Sequence, residues 1–272
     1  MVATAFAHVS DLHIGLNPAA DREAARLCRA LMEAPVGPVL LTGDVTHRGD
    51  KRELERFRQI FAPLLRSGRV VAVPGNHDRL GHDLRDALMS GPRVQAERRG
   101  GLFIVRLDST GPHNRRWYDC HGEVTEQDVD DVVAALRRAP PALQTILMLH
   151  HHPVPLAHDN PIERLATLLG WRNARELRTG GILLSRIRGL CDAVLHGHRH
   201  VPAEINPWPS DVRPLRIFSA GSSTLQRTFR AFRSAIAPAC WIPLQEPVVF
   251  PTLAASQAVE KVPPGIDSKL AS

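Results

Sequence analysis

Hydrophobic residues in this chain come in short runs, and each run stops at a cluster of Asp, Asn or His. The run Val39-Leu40-Leu41-Thr42 ends at Gly43-Asp44, and Val70-Val71-Ala72-Val73 ends at Pro74-Gly75-Asn76-His77-Asp78. The weakly alternating residues 4–9 lead into Ser10-Asp11-Leu12-His13. Further along, residues 102–107 stop at Asp108-Ser109-Thr110-Gly111, residues 143–149 at His150-His151-His152-Pro153, and Ala193-Val194-Leu195 at His196-Gly197-His198-Arg199-His200. Short apolar runs bounded by turn residues predict buried strands, and residues 215–218 predict one more.

Between these strands the apolar residues change to helical spacing. Asn17-Pro18 is an N-cap followed by an N1 proline, and Ala20, Ala24, Leu27 and Leu31 line one face of the helix it starts. Asp50 and Glu53 make a capping-box pattern ahead of Leu54, Phe57, Phe61, Leu64 and Leu65. Thr125 caps a helix with Val129, Val132, Val133 and Leu136 on one side. Residues 81–90 predict a short helix and residues 154–190 further helical turns, with a lid expected over 170–180. The β-α-β-α-β order predicts an α/β fold with parallel strands whose carboxyl ends carry the ligands. After Gly221 the period fades, so the expectation is one domain over residues 1–221 and a tail of unassigned structure over 222–272.

Composition narrows the class. With 272 residues, 43% hydrophobic and 23% charged, the chain has the balance of a globular protein. No apolar run approaches the ~20 residues a spanning helix needs, so no membrane partner is expected. The N-terminus lacks a basic segment followed by a long apolar one, and a cytoplasmic location is the expectation. Cys28, Cys120, Cys191 and Cys240 are scattered without a Cys-x-x-Cys pair, which argues against a disulfide framework or thiolate zinc site and predicts buried small apolar side chains. A formal charge of +6 favours anionic partners: phosphate esters, nucleotides or nucleic acid.

The donors that end the strands carry the chemistry. Asp11, His13, Asp44, Asn76, one of the histidines at 150–152, His198 and His200 are oxygen and nitrogen ligands that suit Mn²⁺, Fe²⁺/Fe³⁺ or Zn²⁺. They exceed the demand of one ion and fit two. Two ions roughly 3.5–4 Å apart need a bridging carboxylate, and such a pair suits phosphoester hydrolysis.

The series Asp11-x-His13, Gly43-Asp44, Gly75-Asn76-His77-Asp78, His151-x-Pro153 and Gly197-His198-x-His200 resembles the motif order of calcineurin-like metallophosphoesterases over about residues 6–221. The resemblance implies a four-layer α/β/β/α sandwich with a two-metal site at one edge. It implies Asp11, His13, Asp44 and His200 as ligands of one ion, and Asp44, Asn76, His151 and His198 as ligands of the other. His151 is selected because family members place this ligand two residues before the proline; His150 and His152 stay open as alternatives one step away. His77 would contact the phosphoryl oxygens or protonate the leaving oxygen, with Asp78 orienting its ring. Asp108-Ser109, Gly122 and Gln127 resemble a stretch of the cyclic-nucleotide phosphodiesterase-type branch. His47 departs from the pattern, standing where relatives often carry Asp.

The expected function is therefore metal-dependent hydrolysis of phosphodiester bonds in a nucleotide or other small anionic ester, with a hydroxide held between the ions as nucleophile. A DNA nuclease, a phosphomonoesterase or protein phosphatase of the same family, and a non-catalytic scaffold are the rivals, and nucleic acid is the less favoured partner. His8 and His196 are read as packed residues beside the site, and His82, His113, His121 and His158 as surface or loop residues. Arg115, Arg116, Trp117 and Tyr118 are read as a solvated loop rather than a base-stacking surface, and Arg172, Arg175 and Arg178 as a solvated helix face.

Overall fold

The computed structural model describes residues 5–156, 176–233 and 240–244. Residues 170–175 of the expected lid, together with His158, Arg172 and Arg175, lie outside the described residues.

The alternation hidden inside the apolar runs builds the molecule. Strands β1 (Phe6–Val9), β2 (Val39–Thr42) and β3 (Val70–Val73) are parallel neighbours, linked by helices α1 (Pro18–Glu33), α2 (Lys51–Ile60) and the short α3 (Ala62–Arg66). The caps are those the sequence announces. Asn17 accepts from the N–H groups of Ala19 and Ala20, and Asp50 and Glu53 close a capping box at the start of α2. After the short α4 (Arg85–Leu88) a second sheet begins, with β4 (Val94–Arg99), β5 (Leu102–Leu107), helix α5 (Glu126–Arg137), β6 (Gln144–Met148), helix α6 (Gly180–Ile187), β7 (Ala193–His196), β8 (Ala203–Ile205) and β9 (Arg216–Ser219). Its order is β4-β5-β6-β7-β9-β8, parallel from β5 to β9 with an antiparallel strand at each edge.

Three apolar layers follow from side chains alternating along each strand. Ala7, Val9, Val39 and Leu41 face α1 and α2, with Leu27, Leu31 and Phe57. Val105, Leu107, Leu147 and Val194 face α5 and α6. Phe6, Leu40, Ile104, Ile146, Met148, Leu195 and Phe218 fill the space between the sheets. Three filled interlayer spaces make the α/β/β/α sandwich. Both faces of each sheet are covered, which is why the strands read as continuous apolar runs.

The first sheet is larger than its sequence pattern. Strands β10 (Thr228–Phe232) and β11 (Cys240–Pro243) extend it to β11-β10-β1-β2-β3, so the sandwich runs past residue 221 into the stretch set aside as a tail. The apolar period fades there because Arg230 occupies an inward position. Its guanidinium lies 4.1 Å from the Trp241 ring centroid and 5.4 Å from that of Phe218, so a charged residue fills an apolar slot. Phe232 anchors the strand against Phe6 at 4.5 Å between ring centroids and against Phe218 at 4.9 Å. Phe232→Ala is expected to cost about 3–5 kcal/mol of stability, read as a lowered denaturant midpoint at unchanged slope.

Cys28 and Cys191 are buried, and all four cysteines are free. No helix among the described residues is long and apolar enough to cross a membrane.

Candidate metal centre

The carboxyl ends of β1, β2, β3, β6 and β7 meet along one rim, and the chain turns there through strained backbone. Asp11, His13, Asp44 and His198 have φ between 46° and 70°, a region that residues with a β-carbon enter at a cost and that clusters at functional sites. Glycines make the approach possible. A β-carbon on Gly75 would collide with the Asp44 carboxylate, and one on Gly197 with Ser10 and Asp11. Hydroxyls then fix the turns: Ser222 donates to the Asp11 carbonyl at 2.8 Å and Ser10 to that of Thr42 at 3.0 Å.

The seven expected ligands gather along this rim in two adjoining groups. In the first, His200 Nε2 lies 3.5 Å from Asp11 Oδ1 and 3.2 Å from His13 Nε2. In the second, Asn76 Oδ1 lies 3.0 Å from His198 Nδ1. Asp44 stands between them, its Oδ2 3.9 Å from His13 Nε2 and 3.4 Å from His150 Nε2. His150 Nε2 also lies 3.0 Å from Asn76 Oδ1, while its Nδ1–H donates to the Thr42 carbonyl at 2.7 Å. A ring tethered through Nδ1 to a carbonyl presents the lone pair of the other nitrogen, the arrangement usual in metal-ligating histidine.

His151, the expected ligand, has hydrogen-bond partners at both ring nitrogens. The Ser109 hydroxyl, which accepts from the backbone N–H groups of His150 and His151, donates to His151 Nδ1 at 2.9 Å; His151 Nε2–H donates to the Cys120 carbonyl at 3.0 Å. The ring stays within the cluster all the same: His151 offers a nitrogen within 4.8 Å of those of His150 and His198, and its centroid lies 4.7 Å from that of His198. Strand parity favours His150: Ile146 and Met148 point between the sheets and His150 continues that face, whereas Leu147 and Leu149 point to the helices.

Asp78 also differs from its expected role. Its buried carboxylate accepts from the N–H groups of Gly75, Val45 and Thr46 and from the Thr46 hydroxyl, locking the β2 and β3 turns together. It does not hold the His77 ring, whose Nδ1–H instead donates to the His47 carbonyl at 2.7 Å. His77 Nε2 is thereby the nitrogen presented to the site, with the ring centroid 4.7 Å from that of His13. Burial, reinforced by the Asp44 charge, pushes the Asp78 carboxyl up to about 6.

Gly122 packs against the His151 ring, but Gln127 sits exposed on α5 bonded to Asp131, away from the rim. His8 is buried against Thr42, and His196 is fully buried. Trp117 is 82% exposed and Tyr118 50%, as a solvated loop requires.

The electrostatics call for cations. Burial lowers His13 to about 3 and carries His198 well below its ordinary value, so both are neutral with lone pairs available at neutral pH. Burial alone would raise Asp44, yet His150, His77 and His13 take its carboxyl well below the usual range. Burial likewise opposes charge on His150, and the Asp44 carboxylate outweighs it, pushing His150 up to about 9. A proton on His150 thus offsets buried negative charge where a cation would sit. Asp11 Oδ1 is buried without a hydrogen-bond partner among the described residues, a cost that a metal bond removes. The nitrogen, carboxylate and amide donors fit two divalent ions.

A two-sheet α/β sandwich whose rim gathers such donors around a shared carboxylate has the architecture of a binuclear metal protein. The chain belongs to the calcineurin-like phosphoesterase family, whose model matches residues 4–202. A Rhodococcus erythropolis protein described as a probable cyclic nucleotide phosphodiesterase is 30% identical over 173 residues, 60% of this chain and 50% of that one. The chain thus spans about half the length of that relative. Among solved structures, a dimetal phosphatase from Danio rerio superposes with a TM-score of 0.61 at 12% identity, covering 85% of this chain and 92% of that one. A purple acid phosphatase from yellow lupin (Lupinus luteus) seeds gives 0.62 at 10% identity, covering 91% and 52%. These likenesses show the fold. Family membership implies a binuclear metal centre, and the donor set described above is suited to it.

Proposed function

We propose that the protein hydrolyses phosphodiester bonds of small anionic esters, nucleotides among them. The observation that carries this reading is Asp44, a buried carboxylate shared between two groups of nitrogen and oxygen donors. In this reading Asp11, His13 and His200 hold one cation, Asn76, His150 and His198 the other, and Asp44 both. His150 replaces His151 because its Nε2 is the nitrogen directed at Asp44 and Asn76. Two cations bound there would activate water and neutralise charge on the ester oxygens.

The chain's own groups complete the reaction. His77, held through Nδ1 by the His47 carbonyl, donates a proton from Nε2 to the oxygen that leaves as the bond to phosphorus breaks. His77 takes this orientation from a backbone carbonyl, and Asp78 acts by holding the turns that aim Asp44 and Asn76. Beside His13 and His200 a pocket of about 200 Å³, walled by Leu16, Ala19, Ala20 and Leu225, offers an apolar seat for a ring of the ester. The Rhodococcus erythropolis relative supports a diester over a monoester.

The test is an assay of the Mn²⁺-loaded protein with bis(4-nitrophenyl) phosphate and 4-nitrophenyl phosphate. The diester is expected to have the higher kcat/KM by about tenfold or more, about 1.4 kcal/mol of barrier. A chelator should abolish turnover and added Mn²⁺ restore it. A preference for the monoester, or turnover indifferent to the chelator, sinks the reading. Strongly salt-dependent cleavage of duplex DNA in preference to the small diester would assign a nuclease instead.

A further inference from the structure

On the side of the rim where His47 and His77 stack, with ring centroids 5.3 Å apart, a second cavity of about 470 Å³ opens to solvent. Its charged wall is Arg48, Arg52 and Arg56, with Asp50 and Glu53. Arg48, on the cavity wall, directly follows His47, whose ring centroid lies 5.6 Å from that of His13. The Gly81 N–H donates to the Arg48 carbonyl at 2.8 Å and ties this wall to the turn that carries His77. Arg52 and Arg56, four residues apart on α2, share a helix face.

The two carboxylates of the wall are turned toward backbone. Asp50 accepts from the Arg52 N–H at 2.7 Å, and Glu53 Oε2 accepts from the N–H groups of His47 at 3.1 Å and Arg48 at 2.8 Å. Arg56 is paired with Asp21. With Arg56 taken up by Asp21, the Arg48 and Arg52 guanidinium groups are the two cations of this wall that lack a carboxylate partner among the described residues, and a bound anion would supply one. Guanidinium groups match phosphate oxygens in pairs.

We propose that this cavity is an anion subsite for a second phosphate of the substrate. The preferred ester is then a nucleotide carrying a phosphate apart from the scissile one, rather than a single-phosphate cyclic mononucleotide. The proposal rests on the reading of the centre as a phosphoester site with an apolar seat for a ring: the scissile group lies over the metal centre and the further phosphate reaches past His47 to Arg48 and Arg52. It names the substrate class that the donor cluster by itself leaves open.

Calorimetric titration of the Mn²⁺-loaded full chain with thymidine 5′-monophosphate and thymidine 3′,5′-bisphosphate tests it without requiring turnover. The bisphosphate is expected to bind about tenfold tighter, the size of one good charge-assisted contact. The variant Arg48→Gln/Arg52→Gln should bring the two dissociation constants together; both side chains are exposed, so folding is not at stake. Equal affinity in the unsubstituted protein overturns the proposal, as does a preference undiminished in the double variant. A kinetic arm uses thymidine 5′-(4-nitrophenyl phosphate) with and without a 3′-phosphate, and the phosphorylated ester should show the lower KM. Preference in binding with turnover of neither ester would keep the subsite and overturn the hydrolytic assignment. Turnover of both without preference would do the reverse.

Discussion

Asp44→Ala is expected to lower kcat/KM for a chromogenic phosphodiester by about a thousandfold or more, equivalent to about 4 kcal/mol of transition-state stabilisation. The size follows from where the carboxylate stands. One oxygen faces both donor groups, at 3.9 Å from His13 Nε2 and 3.4 Å from His150 Nε2, so its removal weakens both cation sites at once. The other oxygen accepts from the His77 backbone N–H at 2.8 Å, and its loss also frees the turn that carries His77. Metal analysis should find fewer than two ions per chain in the variant. Asn76→Ala, which removes an oxygen shared by His150 and His198, is expected to abolish turnover as well. Full activity in either variant would contradict the assignment of the centre.

His150→Ala is expected to weaken the second cation by about a hundredfold or more, beyond what loss of an outer-sphere partner costs, and to remove most activity. His151→Ala should retain two ions per chain. Its cost should appear in stability, about 1–3 kcal/mol, because the Ser109 hydroxyl and the Cys120 carbonyl lose their buried partner. The pair of variants separates a ligand set chosen by distance from the proline from one chosen by strand parity. If His151→Ala lost the second ion while His150→Ala kept it, the motif-based choice would be right and the geometric one wrong.

The rest of the site shows the same division between local spacing and long-range packing. His77 and Asp78 are adjacent, and adjacency suggested a carboxylate–imidazole pair; yet Asp78 is drawn back under the β2 turn by three N–H groups and a hydroxyl, and a carbonyl from His47 takes its place. Gln127 lies near Gly122 in sequence but rides on the solvent face of α5, because the capping box at Thr125 sets which side of the helix faces the sheet. Arg48 and Arg52 carry no motif, and only the folding of the 47–53 turn against Gly81 makes them walls of one cavity.

The sequence by itself determined the strands, the helix caps and the turn residues of this protein, because these depend on neighbours a few positions apart: apolar period, Asn17 and Asp50 as N-caps, Gly43 and Gly75 where no β-carbon fits. Only the tertiary structure decided which nitrogen of which histidine faces the shared carboxylate, where each carboxylate's hydrogen bonds go, and that β10 and β11 complete the first sheet around a buried Arg230. Those choices are set by contacts between segments far apart in the chain, such as Ser222 to Asp11 across 211 residues, which no local period encodes.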